Sequence, residues 1–282
     1  MPSIEIIEKG FYTTVQDLGR TGYEIQGVPE SGAMDQQALQ FSNLLLNNSI
    51  QAAAFECTLI GPTILFLKDI AFVLTGASSE ALLDKEHIGH NQVHFAQKGQ
   101  VLRVGKVKKG CRVYVGLDGG VETEVYLGSR SMFYPITPTT IITNTTKIKT
   151  GISTYGSAKG VHIHTSNSTR FLEEIDITAY KGPEYDLLSN AAIQRLSEIE
   201  LTVSSWNRMG IALDKVLEAH HHKILTGPVL PGTIQLTPSG RLFVLMRDCQ
   251  TTGGYPRILQ LPPESINKLA QRKSGDKVCF VI

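Results

Sequence analysis

Short apolar runs separated by glycine, proline or aspartate dominate the chain. β-Branched and aromatic residues are common in these runs, which is typical of strands. The clearest predicted strands cover residues 64–67, 70–74, 111–117, 241–246 and 277–282. Their spacing and the turns between them favour a sandwich or barrel over alternating βαβ units.

A few segments instead repeat apolar residues at helical spacing. The predicted helices cover residues 35–46, 190–199 and 263–272. In the first, Ala38, Phe41 and Leu45 share one face, and Asp35 or Ser31 is the predicted N-cap. The pattern as a whole therefore predicts a mainly β protein with a few short helices.

A weak internal sequence repeat, or echo, provides evidence on the number of domains. The sequences TLIGPTILFLKD near Leu59 and IQLTPSGRLFVLMRD near Leu236 share a turn, an apolar strand and a basic residue followed by Asp. A length of 282 residues allows two domains or one large β domain, and the echo favours two related ones. We place them at residues 1–165 and 166–282.

Composition and charge exclude several classes of protein. The formal net charge of +1 argues against a nucleic-acid binder, and the cluster of Lys106, Lys108 and Lys109 between glycines predicts a solvated turn. No apolar run approaches the roughly 18 residues of a membrane span. The first ten residues have no apolar core of signal-peptide length and carry acids, so we expect no signal peptide. The four cysteines form no CxxC pair and no metal site is predicted. We therefore expect a cytoplasmic protein with reduced thiols.

The first candidate ligand segment is TVQDLGRTGYEIQGVPESGAMD, residues 14–35. It places Gln16, Asp17, Arg20 and Asp35 among several glycines. Glycine lets backbone approach a ligand closely, and Asp and Arg supply charge and paired hydrogen bonds. The alternative is a glycine-rich connection in which Asp35 only caps a helix.

The second candidate is MRDCQTTGGYPRI, residues 246–258. An apolar strand leads directly into Asp248, and polar and glycine residues follow it. The candidate binding residues of this loop are Gln250, Thr251, Thr252, Gly253, Gly254 and Tyr255. Such a strand end commonly presents an acid or a metal ligand. The alternative is a hairpin turn in which Asp248 accepts local N–H groups.

Two shorter segments add candidates. In SSWNRMG, residues 204–210, Asn207 and Arg208 suit a carboxylate or phosphate, although Asn207 also suits a hairpin turn. Gln235, in PGTIQLTP, lies in a predicted strand and faces either the core or a cleft.

These motifs, in this order, resemble one family. It has been called allophanate hydrolase subunit 2, the KipI-antagonist family, the biotin-dependent carboxyltransferase family and the C subunit of 5-oxoprolinase. The resemblance rests on TVQDLGR, SGAMD and QTTGGYP together, with AFECTLIGP, LGSRS and KGPEYD between them. Residues 132–150 and 211–215 depart from the family's usual pattern, which leaves a divergent substrate open.

The resemblance implies two cyclophilin-like β-barrel domains. It also implies an ATP-dependent 5-oxoprolinase that cleaves 5-oxoproline to L-glutamate together with the A and B subunits, of which B is KipI-like. ATP and Mg²⁺ are then expected in the assembly. The alternatives are a carboxyltransferase component of the urea carboxylase type, with biotin carried by another protein, and a non-catalytic KipI-antagonist binding module.

Residue chemistry suggests the individual roles. Arg20 and Arg208 would hold a substrate carboxylate or phosphate. Asp17, Asp35 and Asp248 would act as acid/base groups or metal contacts. Gln235 and the loop from Thr251 to Tyr255 would line the pocket through hydrogen bonds.

Overall fold

The computed structural model describes residues 1–153, 172–215, 217–222 and 224–282. The chain forms two compact units: unit 1 is Met1–Arg20 with Asp35–Leu172, and unit 2 is Thr21–Met34 with Glu173–Ile282. The predicted boundary between residues 165 and 166 lies outside the described residues. Because Thr21–Met34 belongs to unit 2, unit 1 is not one continuous stretch of the chain.

Unit 1 is a nearly closed β-barrel. Its described strands are β1 (Ile4–Glu8), β2 (Tyr12–Gln16), β3 (Ala54–Thr58), β4 (Thr63–Phe66), β5 (Ile70–Leu83), β6 (Glu86–His87), β7 (Val93–Ala96), β8 (Val101–Leu117), β9 (Val121–Glu122) and β10 (Lys147–Thr150). The pairing order is β2-β3-β8-β4-β1-β10-β9, and β5 pairs with β6, β7 and β8. The predicted strands 70–74 and 111–117 lie within β5 and β8, and the predicted strand 64–67 overlaps β4, which ends at Phe66.

The prediction that the lysine cluster forms a turn is wrong. Lys106, Lys108 and Lys109 are exposed, as expected, but they lie inside strand β8 and not in a turn. Gly105 and Gly110 flank them within β8, where its pairing with β5 shifts register repeatedly. Glycine is tolerated in a strand at such irregularities, so here it does not end the strand.

Unit 2 is the second nearly closed barrel. Its described strands are β11 (Asp176–Thr178), β12 (Tyr180–Lys181), β13 (Leu201–Trp206), β14 (Gly210–Lys215), β15 (Gly227–Pro228), β16 (Thr233–Leu236), β17 (Arg241–Leu245), β18 (Thr252–Gly253), β19 (Arg257–Gln260) and β20 (Lys277–Val281). The main sheet has the order β11-β20-β13-β14-β17-β16-β19-β12, and β15 pairs separately with β18.

The helices match their predicted positions. Among the described residues the α-helices are α1 (Gln36–Leu45), α2 (Asn190–Glu198) and α3 (Pro263–Ala270). Asp35 caps α1 by accepting the Ala38 N–H at 3.0 Å, and Ser189 caps α2 by accepting the Ala192 N–H at 3.2 Å. None of these helices is long and apolar enough to cross a membrane.

Each unit has its own apolar core. Phe55, Phe72 and Val115 are among the fully buried residues of unit 1, whereas Ile234 and Val244 belong to the core of unit 2. Strand alternation places these side chains inside the barrels. The mainly β prediction with two barrels and a few short helices is confirmed.

Candidate functional site

Asp248 forms a buried ion pair with Arg208 just beyond the end of β17. The Arg208 Nε donates to Asp248 Oδ2 at 2.7 Å, and Nη2 donates to Oδ1 at 3.0 Å. Both side chains are only 8% exposed. The same Nη2 donates to the Gly32 carbonyl at 2.7 Å. Such a two-point contact fixes the carboxylate rigidly, so the structure brings these two predicted residues together.

Gln235 approaches the glycines of the candidate loop. It lies in β16, is 2% exposed, and its Nε2 has no hydrogen-bond partner among the described residues. A Cβ atom on Gly253 would lie 2.3 Å from this Nε2 and 3.1 Å from Val229 Cγ1. A side chain at position 253 would therefore require the Gln235 amide to move and Val229 to shift slightly, so glycine leaves room for this amide.

A second ion pair supports the other side of this loop. Arg257 Nε donates to Glu184 Oε2 at 2.8 Å, Nη2 donates to Oε1 at 2.6 Å, and Nη1 donates to the Pro228 carbonyl at 2.9 Å. Hydrogen bonding from Arg257 lowers the pKa of Glu184, and the same bonding raises the pKa of Arg257. Since Pro228 pairs with Thr252, the Arg257 side chain holds the β15–β18 ribbon in place.

The outer residues of the loop are accessible. Gln250, Thr252, Gly254 and Tyr255 are exposed, and the Thr251 carbonyl accepts the Val229 N–H at 3.0 Å. The loop is thus a short ribbon anchored by backbone pairing, with its polar side chains on the surface.

Asn207 occupies the turn between β13 and β14. Its Oδ1 accepts the N–H groups of Met209 at 2.8 Å and Gly210 at 2.9 Å. This is the alternative that the sequence allowed for Asn207. The turn leaves Arg208 as the residue of this segment that reaches the Asp248 carboxylate.

In unit 1, Asp17 is surrounded by donors from the LGSRS segment. Its Oδ1 accepts Ser129 Oγ and Ser131 Oγ, each at 2.6 Å, and the Gly19 N–H at 2.9 Å. Its Oδ2 accepts the Arg130 N–H at 2.6 Å. Asp17 is 8% exposed. A carboxylate that accepts from four donors is suited to holding two segments of the chain together. We call Asp17 and its four donor residues (Gly19, Ser129, Arg130 and Ser131) the Asp17 cluster.

Gln16 and Arg20 lie close to this cluster. Both are buried. Arg20 Nη2 donates to the Ser131 carbonyl, and Gln16 Nε2 donates to Thr14 Oγ1 at 3.1 Å and to the Met132 carbonyl at 3.3 Å. Gln16 at the end of β2 and Arg20 just after it thus both bond to the chain that follows Ser129.

Asp35 belongs to a buried polar network. Besides capping α1, its N–H donates to Tyr114 Oη at 2.8 Å, and this hydroxyl donates to Glu56 Oε2 at 2.7 Å. Arg112 Nε lies 3.7 Å from Glu56 Oε1. Burial, followed by the charge of Glu56, raises the pKa of Tyr114 well above its usual value. All four residues are essentially inaccessible, which favours the capping interpretation of Asp35.

The predicted residues therefore fall into two sets. Unit 1 contains Gln16, Asp17, Arg20 and Asp35. Unit 2 contains Asn207, Arg208, Gln235, Asp248, Gln250, Thr251, Thr252, Gly253, Gly254 and Tyr255. The sequence did not single out Glu184 and Ser129, although KGPEYD and LGSRS, which contain them, are two of the matching motifs.

The carboxylates do not fit a Mg²⁺ site. Asp17 is engaged by four donors, Asp248 by Arg208, and Asp35 by a helix N-terminus. Magnesium needs several oxygen ligands in octahedral geometry. No group of three His, Cys, Asp or Glu side chains is placed to hold a metal in the described parts of the chain.

A cavity of about 960 Å³ lies elsewhere in unit 2, beside α2. Its walls include Leu188, Arg195, His220 and Leu236. None of the predicted site residues lines it. The cavity is therefore separate from the ion pair of Arg208 and Asp248 and from the β15–β18 ribbon.

Known proteins resemble this chain over nearly its full length. Residues 26–282 match the family described as carboxyltransferase domain, subdomain A and B. The chain is 34% identical over 296 residues to the C subunit of 5-oxoprolinase from Escherichia coli strain K12, covering 99% of this chain and 90% of that protein.

Solved structures show the same fold. The structure of TTHA0988 superposes with a TM-score of 0.89 at 24% identity, covering 100% of this chain and 56% of the other. The urea carboxylase of Kluyveromyces lactis gives a TM-score of 0.84 at 26% identity, covering 99% of this chain and 27% of the other. The chain thus spans little more than half of the first structure and about a quarter of the second.

Proposed function

Because the chain belongs to the family of carboxyltransferase domains with subdomains A and B, we propose that it is the C subunit of an ATP-dependent 5-oxoprolinase. The observation that carries this proposal is the 34% identity to the C subunit of the Escherichia coli 5-oxoprolinase across 99% of the chain. The reaction would convert 5-oxoproline to L-glutamate. The partners would be the A and B subunits, of which B is KipI-like, in a cytoplasmic hetero-oligomer.

The role of this chain would be to bind and orient the substrate. 5-Oxoproline has two hydrogen-bond acceptors of different kinds, a lactam carbonyl and a carboxylate. Gln235 Nε2 is a buried donor of unit 2 without a partner among the described residues and suits such an oxygen, whereas Arg208 would act through the Asp248 carboxylate that it holds. Since the carboxylates do not fit Mg²⁺, the nucleotide and its metal would be held by the partner subunits, and the chain would be inactive alone.

The proposal is tested by mixing the chain with its two partner subunits and measuring 5-oxoproline-dependent ADP release. Gln235→Ala is expected to lower kcat/KM about tenfold, through loss of a hydrogen bond to substrate. Lys277→Ala, which removes an exposed amine bonded to Thr202 Oγ1, is the control and should leave the rate unchanged. ADP release that does not depend on 5-oxoproline would contradict the proposal.

The carboxyltransferase function is the second candidate. It is favoured by the similarity to K. lactis urea carboxylase over 99% of the chain. These 282 residues contain no biotinyl-lysine motif, so carboxybiotin would be presented to them by a separate carrier domain. Transfer of labelled CO₂ from carboxybiotin to urea, without 5-oxoproline turnover, would support this function.

A stable complex with the KipI-like protein and no turnover of either substrate would instead identify a KipI-antagonist module. Complex formation by itself does not separate these functions, because the antagonist needs the same partner as the oxoprolinase component. The turnover assay therefore decides between them.

A further inference from the structure

Ser31 has an unfavourable backbone conformation. Its φ is 57°, in the left-handed region that disfavours residues with a Cβ atom. Among the described residues of unit 2, it is the only non-glycine residue with a positive φ. Glycine would adopt this conformation without strain, and Gly32 with a φ of 87° directly follows it. The serine side chain is therefore kept at a cost in stability.

The Ser31 hydroxyl is also unfavourably placed. The residue is fully buried, and its Oγ has no hydrogen-bond partner among the described residues. Burying an unpaired hydroxyl destabilises a fold. Both the left-handed backbone of Ser31 and its unpaired hydroxyl therefore destabilise the fold. Backbone strain of this kind is concentrated at functional sites.

Ser31 lies next to residues that contact the Arg208–Asp248 ion pair or adjoin it in sequence. Its N–H donates to the Arg247 carbonyl at 3.0 Å, one residue before Asp248. The next carbonyl, that of Gly32, accepts Arg208 Nη2 at 2.7 Å. The Ser31 N–H is therefore held by the residue that precedes Asp248, and the adjacent Gly32 is held by Arg208, the ion-pair partner of Asp248.

We propose that Ser31 is a ligand-contacting residue whose hydroxyl donates a hydrogen bond to a carbonyl or carboxylate oxygen of a small-molecule ligand. Because the hydroxyl would donate to an acceptor oxygen, the ligand class is an amide, lactam or carboxylic acid. Only the choice of 5-oxoproline as this ligand rests on the proposed function.

The thermal stability of the full chain tests whether the Ser31 side chain destabilises the fold. Trp206 is the single tryptophan and lies in unit 2, so its fluorescence follows that unit. Ser31→Ala is expected to raise Tm by about 3 °C and Ser31→Gly by about twice as much. Ser189→Ala, which removes the cap of α2, is the matched control and should lower Tm. A fall in Tm for both Ser31 variants would overturn the inference.

Calorimetric titration with 5-oxoproline and separately with urea, with the partner subunits present, tests ligand contact. Ser31→Ala is expected to weaken binding about fivefold to tenfold, whereas Ser189→Ala binds as wild type does. Loss of urea binding in Ser31→Ala, with no 5-oxoproline binding by wild type, supports the contact and contradicts the proposed function. Equal binding by Ser31→Ala and wild type, or no binding of either probe, overturns the inference.

Discussion

At the scale of single residues, identical side chains serve different purposes. Asp248 is held by the guanidinium of Arg208, whereas Asp17 receives hydroxyl and backbone donors. Asp35 caps a helix. The hypothesis that all three are acid/base groups stays a prediction, and their surroundings now allow it to be tested one residue at a time.

Asp17→Asn is expected to lower the free energy of unfolding by about 2 kcal/mol, because an amide nitrogen cannot accept the hydrogen bonds that the carboxylate accepts. Urea unfolding followed by circular dichroism measures this. Asp69→Asn, which alters one exposed bond to the Lys98 N–H, should cost about 0.5 kcal/mol or less. Unchanged stability together with lost activity would instead make Asp17 a catalytic group.

At the scale of elements, the β15–β18 ribbon depends on a contact from a distant segment. Only two pairs of residues join β15 to β18, and a two-stranded ribbon alone is marginally stable. Arg257, held by Glu184, adds a bond to the Pro228 carbonyl. The candidate ligand loop is thus positioned by KGPEYD, a motif about 70 residues earlier in the sequence.

The Glu184–Arg257 pair predicts a pH dependence. The pKa of Glu184 is lowered in the folded chain, chiefly by hydrogen bonding from Arg257. Its contribution to stability is therefore present above the unfolded pKa, near 4.5, and is lost as the pH falls through the lower folded value. Glu184→Gln should show a shallower loss of stability below pH 4.5, measured by Trp206 fluorescence in urea. Exposed Glu264→Gln is the control, and a slope unchanged by Glu184→Gln would contradict this role.

At the scale of the whole molecule, unit 2 takes a segment from the N-terminal part of the chain. Thr21–Met34 is grouped with Glu173–Ile282. Met34 is fully buried in the core of unit 2, and Gly32 and Ser31 bond to Arg208 and Arg247. The candidate site of unit 2 therefore cannot be complete in a fragment that contains only its later residues.

Met34→Ala is expected to destabilise unit 2 by about 2–5 kcal/mol, the usual cost of truncating a buried methionine. Trp206 fluorescence in urea measures this effect at a residue far away in sequence. Ile25→Ala in the same segment is the control, because Ile25 is 98% exposed. An unchanged unfolding midpoint for Met34→Ala would show that the segment does not belong to this core.

The sequence by itself determined the class of fold and most of its elements. Apolar alternation and turn residues predicted strands such as 241–246, and apolar residues at helical spacing predicted α1, α2 and α3. These signals are local, because strand and helix periodicity depend on neighbouring residues. The motifs also indicated the family. One unit contains several of the predicted site residues: Arg208, Gln235, Asp248 and the loop through Tyr255.

Tertiary structure alone decided which charges and donors meet. The contacts of Arg208 with Asp248, of Arg257 with Glu184, and of Asp17 with Ser129 join residues 40 to 112 positions apart. No local pattern encodes such pairings, because they follow from strand register and chain topology. The left-handed backbone conformation of Ser31 could likewise not be predicted from the sequence. Its strain and its buried hydroxyl arise only when the barrel is folded.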